Sequence, residues 1–261
     1  MFRKGQAAGQ LTLAIFLAVG CLSLCSDSGA RRGLSARMSQ LPSRTLWVWE
    51  RPEDLSGIDP SSTAIASLDQ TILIGDGLSL LPRRQSVIYP ESAHRIAVVR
   101  IEVQPGTALS GESMLNLATK TVDQIMESAR KPGIVALQID FDATRSQRIF
   151  YTVLLRQLRS RMPRELPLSI TALASWCSYD DWIGSLPVDE AVPMYFRMEP
   201  DRQRAPQDRP EFRVREPLCI GSVGVSTHER WPVNVAGKRL YIFSDWGWRQ
   251  DLLLLASGRL P

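Results

Sequence analysis

Histidine is nearly absent from this 261-residue chain, which has only His94 and His228. Cysteine is also scarce: of four, Cys21 and Cys25 fall in an N-terminal apolar run, leaving Cys177 and Cys219. Two lone histidines and two distant cysteines lack the ligand spacing of a zinc site, so no metal is implied. No G-x-G-x-x-G turn follows any candidate strand, and the P-loop, the G-x-S-x-G elbow and the H-E-x-x-H helix are missing. These absences remove the common nucleotide-binding and metalloprotease readings, and no cofactor is implied. Ser226 and His228 lie too close along the chain for a usual catalytic triad, and His228 reads as a surface loop residue. His94 stands just before the third candidate strand, at its N-terminal end. No apolar run reaches the roughly 20 residues a membrane-spanning helix needs. With 44% hydrophobic and 22% charged residues, the chain falls outside the disordered, collagen-like and coiled-coil classes.

The body of the protein lacks an excess of either charge. The formal net charge is +4, and Arg3, Lys4, Arg31, Arg32 and Arg37 against Asp27 account for all of it. A basic nucleic-acid footprint is therefore not supported. Arg3 and Lys4 precede a largely apolar stretch over 11–25, the pattern of a signal peptide spanning 1–25. Within it Ala18-Val19-Gly20-Cys21 resembles a bacterial lipoprotein box, which makes Cys21 the expected lipidation site; plain secretion with cleavage near 26–30 is the alternative. Residues 26–44, rich in Ser, Gly and Arg and without periodicity, read as a tether. The expected location is periplasmic, anchored to the outer membrane through lipid alone. Such a compartment permits a disulfide between Cys177 and Cys219; two separately buried thiols remain the other option.

From residue 45 to 261 a single domain is expected. Short apolar runs at 46–50, 71–75, 95–103, 134–142, 168–176, 190–198, 219–226 and 240–245 read as strands. Helical periodicity is clearest at 113–130 and 147–161, and weaker at 179–186 and 249–257. Helices between successive strands are the signature of parallel βα units. Eight strands in this length suggest a somewhat degenerate (β/α)8 barrel of TIM type, near the lower size limit, with an open doubly wound sheet as the rival. The connections over 76–94 and 199–217 are too rich in Pro and Arg for good helices, and the Arg-rich insertion over 201–215 is a candidate partner-binding loop.

The fourth strand carries most of the functional information. In IVALQIDFD, residues 134–142, period-two alternation puts Val135, Leu137, Ile139 and Phe141 on one face and Gln138, Asp140 and Asp142 on the other. A strand covered on both sides should be apolar on both faces unless one lines something. Unpartnered buried carboxylates cost several kcal/mol, and the C-terminal strand ends are where barrel enzymes place chemistry. The competing structural reading makes Asp142 a helix cap and pairs Asp140 with an internal arginine; Thr144 and Ser146 are better placed for the cap. Arg100 and Glu102 alternate with apolar residues at the end of the third strand, and Glu50 closes the first after Trp47-Val48-Trp49. Trp176, Phe196, Trp246 and Trp248 cluster at other strand ends. Aromatic rings beside carboxylates and amides suit sugars, so a neutral carbohydrate polymer is the expected partner.

The segments LWVWE (46–50), VALQIDFDA (135–143), LSITALASWC (168–177), VPMYFRM (192–198) and the stretch over 217–229 resemble a bacterial family designated domain of unknown function 3142, usually seen in exported proteins. The resemblance spans most of 45–250 and implies a TIM-type barrel related to glycoside hydrolases, without an established reaction. A more distant resemblance is to glycoside hydrolase family 18, which carries D-x-D-x-E on strand four, M-x-Y-D on strand six and a Trp floor on strand eight. Here those positions read Gln138-x-Asp140-x-Asp142 and Met194-x-Phe196-Arg197, with Asp245, Trp246 and Trp248 near the eighth strand. The comparison implies Asp142 as general acid, Asp140 as the group that tunes it, and Glu102 or a substrate group completing the pair. Glu50, Arg100, Gln138, Trp176, Met194, Phe196, Arg197, Asp245, Trp246 and Trp248 are the expected substrate-binding residues. An Asp donor sits about 1 Å further back than Glu, which can cost on the order of 100-fold. The expectation is a glycosidase acting on an envelope or extracellular polysaccharide, with a non-catalytic saccharide-binding lipoprotein or an envelope scaffold as alternatives.

Overall fold

A run of alternating residues forms a closed sheet only if its first and last strands can pair, and here they do. A computed structural model describes residues 35–196, 214–229, 231 and 235–256. Eight strands form the barrel: β1 (Arg44–Val48), β2 (Thr63–Ile74), β3 (Arg95–Val103), β4 (Ile134–Asp140), β5 (Leu168–Leu173), β6 (Glu190–Met194), β7 (Ser222–Ser226) and β8 (Arg239–Phe243). Each pairs in parallel with its sequence neighbours, and β1 pairs with both β2 and β8. That closure settles the fold as a TIM-type barrel rather than an open sheet.

The alternation sorts three cores. Inside the barrel lie Trp47, Ala64, Ala66, Ile96, Val98, Ala136, Val192 and Tyr241. Outside β2–β5, two helices supply the second layer, α1 (Gly111–Ala129) and α2 (Arg148–Arg161). Met114, Ala118, Val122 and Ile125 of α1, and Phe150, Leu154 and Leu158 of α2, recur every three or four residues and so form one buried stripe per helix. On the opposite side, Leu46, Val48, Ile65, Val223, Val225 and Ile242 pack with Trp248 of the last helix, Trp248–Ala256.

The barrel is degenerate where the Pro-rich connection indicated. Between β2 and β3 there is no helix: Leu78–Pro82 runs antiparallel along β2, and Val87–Ile88 pairs with Glu53–Asp54. The second strand begins at Thr63, earlier than the expected 71, and a bulge between Leu68 and Gln70 interrupts its alternation. The expected helix at 179–186 is reduced to a single 3-10 turn, Ile183–Ser185. The expected tether overlaps the fold: Met38 and Leu41 are buried under the barrel and close its N-terminal end. A 3-10 turn at Met38–Gln40 has too little length to show any periodicity, which is why it reads as linker.

Cys177 and Cys219 are disulfide-bonded, joining the turn after β5 to the turn before β7. The expected signal segment with Cys21, Arg197 and most of the Arg-rich insertion lie outside the described residues. No helix among the described residues is long and apolar enough to cross a membrane.

Candidate functional site

At the C-terminal end of the strands the barrel opens into a cavity of about 330 Å³. This is the low end of the range for small-molecule sites and fits one sugar-sized unit. Its acids come from two sides: Asp140 and Asp142 from the end of β4, and Asp245 from just past β8. Arg100 of β3 and Arg51 are the basic residues of the lining. An aromatic wall completes it. Trp47 and Trp49 stack with centroids 5.0 Å apart, Phe243 lies 4.6 Å from Trp47, and Phe196 lies 4.3 Å from Phe243. Met194 fills the gap beside them; its sulfur sits so close to Gly224 on β7 that a Cβ there would lie 2.6 Å from it.

Asp140 is fully engaged. It stands directly across from Arg100 in the β3–β4 ladder, and Arg100 Nη1 donates to its Oδ2 at 2.9 Å. Thr171 Oγ1 on β5 donates to its Oδ1 at 2.8 Å. Arg100 Nε also donates to Glu102 at 2.6 Å, and the guanidinium lies over the Trp49 ring. Burial works against the charge of Arg100, but Asp140 and Glu102 outweigh it and hold its pKa above the ordinary arginine value.

Asp142 has no such partners. Thr144 is the residue at the helix entrance, where its N–H donates to Gln147 Oε1 at 2.8 Å, so Asp142 is not spent as a cap. No hydrogen bond or ion pair among the described residues engages the Asp142 carboxyl. One flank is open to solvent while the cavity wall crowds the other. That partial desolvation, and then the negative charge of Asp140, push its pKa up, against a weaker pull from Arg100. A carboxyl with a raised pKa at the mouth of a polar and aromatic cavity is placed to act as a general acid.

Of the expected site residues, Asp140, Asp142, Arg100, Met194, Phe196 and Asp245 come together here. The others lie elsewhere. Glu102 lies further along β3, beyond the cavity lining, and pairs with Arg100. Glu50, beyond the end of β1, accepts from the backbone N–H groups of Arg84 and Gln85. Gln138 sits a layer deeper, accepting from Trp47 Nε1 and donating to Ser169. The chain turns helical at Ala174–Ser178, and this carries Trp176 into the outer core against Trp182. Gly247, at φ +104°, turns the chain so that Trp246 is 69% exposed outside the cavity lining while Trp248 is wholly buried. His228 is exposed in the turn after β7, as expected, and its Nε2 lies 3.1 Å from the buried Asp251.

Trp47, Trp49 and Phe243 line the cavity but are missing from the expected site. The signal was available: the parity that pairs Trp47 with Trp49, and Tyr241 with Phe243 and Asp245, places each set on one strand face.

The family model described as Domain of unknown function (DUF3142) matches residues 91–194, the stretch that carries Arg100, Asp140, Asp142 and Met194. A solved structure, the chitinase domain of the spore coat protein CotE from Clostridium difficile, overlaps at 17% identity with a TM-score of 0.36. The overlap covers 58% of this chain and 49% of that one, so the chain matches about half of its length. At that score it carries no argument about this site. No curated protein matches the chain.

Proposed function

We propose that this protein is an exported glycosidase, lipid-anchored through Cys21, that acts on a neutral envelope or extracellular polysaccharide with Asp142 as its general acid. One observation carries the reading: Asp142 is an unpartnered carboxyl with a raised pKa, on the rim of a cavity walled by Trp47, Trp49, Phe196 and Phe243. The aromatic wall suits the C–H faces of a sugar ring, and the polar residues suit its hydroxyls. Asp140, held by Arg100 and Thr171, stands beside Asp142, and its negative charge helps to raise the Asp142 pKa. The Cys177–Cys219 disulfide accords with an oxidising compartment.

The test is hydrolysis of a panel of envelope and extracellular polysaccharides by the wild type and by Asp142→Asn. Loss of a general acid lowers turnover on the order of 100- to 10,000-fold. Equal rates for the two proteins would end the assignment of Asp142. If neither protein hydrolyses any glycan but both bind one, the saccharide-binding reading takes its place.

A further inference from the structure

Among the described residues three acids reach the cavity, and the reading above uses only Asp140 and Asp142. The third, Asp245, comes from the opposite wall. In the closed order β4 and β8 are four strands apart in either direction, so the segments that follow them face each other across the mouth. Asp142 stands two residues past the end of β4, and Asp245 two residues past the end of β8. Asp245 is also held in place. Its backbone carbonyl accepts from Arg51 Nη1 at 2.7 Å, and its Oδ2 accepts from Ser226 Oγ on β7 at 2.7 Å. A carboxylate accepting from a fixed hydroxyl is held in one orientation. The other acids near Asp142 are poorly placed to share its reaction. Asp140 comes from the same strand end with both oxygens occupied, and Glu102 lies outside the cavity.

We propose that Asp245 is the second catalytic carboxylate, the general base that activates water on the face of the sugar opposite Asp142. The proposal rests on the glycosidase reading. Asp142 gives its proton to the glycosidic oxygen as the bond from that oxygen to the anomeric carbon breaks. On the other face Asp245 takes a proton from water as the water oxygen bonds to the same carbon. One water is consumed, and an alcohol and a hemiacetal of inverted configuration leave. The two acids end with their protons exchanged, and solvent restores them. Carboxylates that approach one carbon from opposite walls are the arrangement of inverting enzymes.

The experiment uses the full chain with activated aryl glycosides and the polysaccharide panel. Asp245→Asn is expected to lower kcat about 100-fold or more with little change in KM or Tm. Proton NMR of the first product from the wild type should show inversion. In Asp245→Gly, sodium azide should restore turnover and yield a glycosyl azide of inverted configuration, which a merely structural role would not produce. Full activity in Asp245→Asn, or retention of configuration by the wild type, overturns the proposal. The stereochemical test does not depend on any variant folding. A wild type that hydrolyses nothing removes the glycosidase reading and this one together; an active wild type that retains configuration removes this one alone.

Discussion

The barrel interior is polar at both ends, and the two ends treat their polar groups differently. At the floor Glu190 and Arg239 are both buried, 3.6 Å apart. Tyr241 and Ser169 donate to Glu190, while Arg239 donates to the backbone carbonyls of Met38 and Pro42. Burial pushes the Glu190 pKa up even against the pull of Arg239 and of these donors, so the desolvation there is severe. Met38 seals the set from below. At the mouth, Arg100, Asp140 and Thr171 form a comparable set, but Asp142 beside it is left over. Buried charge by itself therefore says little about chemistry. The group without a partner marks the site.

The largest expected effect tests the closed end. Arg239→Met leaves Glu190 buried without its counter-charge and should cost about 3–5 kcal/mol, read from the urea midpoint. An unchanged midpoint would mean that the floor is not held by this pair. Next comes the disulfide, which closes a sequence separation of 42 residues between β5 and β7. Chain-entropy arguments put its contribution at about 2–4 kcal/mol, so Cys177→Ser with Cys219→Ser should lower Tm by several degrees without altering which glycan is bound. At the open end, Trp49→Ala should weaken glycan binding by up to about tenfold in a titration while moving the urea midpoint less than Arg239→Met does. The smallest effect is the pH dependence of Asp142. Its pKa in the folded state is raised above its unfolded value, so its favourable contribution is complete at low pH and is lost as pH rises through the raised value. Asp142→Asn should therefore be the more stable protein at pH 7, with the difference vanishing near pH 3. A difference that grew as pH fell would contradict the raised pKa.

Much of the barrel was legible because strand periodicity is local. Arg95–Val103 has the expected bounds, and β4 carries its polar face where alternation puts it. The parity of Trp47 with Trp49 was equally readable, and it points to the cavity wall better than the isolated tryptophans at strand ends do. Trp176 misleads because a strand pattern runs on past Leu173, where the backbone has already turned helical. Glu102 misleads for a different reason. Its parity is right, but it lies two residues further along β3 than Arg100, beyond the cavity lining.

By itself the sequence determined which side chains can face inward, because a two-residue repeat is imposed by the backbone one residue at a time. It also determined where the charge excess lies, since that is a property of position along the chain. Which inward acid is neutralised was decided only by the tertiary structure. Asp140 is reached by Arg100 across 40 residues and by Thr171 across 31, while Asp245 is carried to the wall facing Asp142 by closure of the ring. Partnering of this kind depends on neighbouring strands arriving in register, and no local pattern on β4 specifies what stands beside it or opposite it.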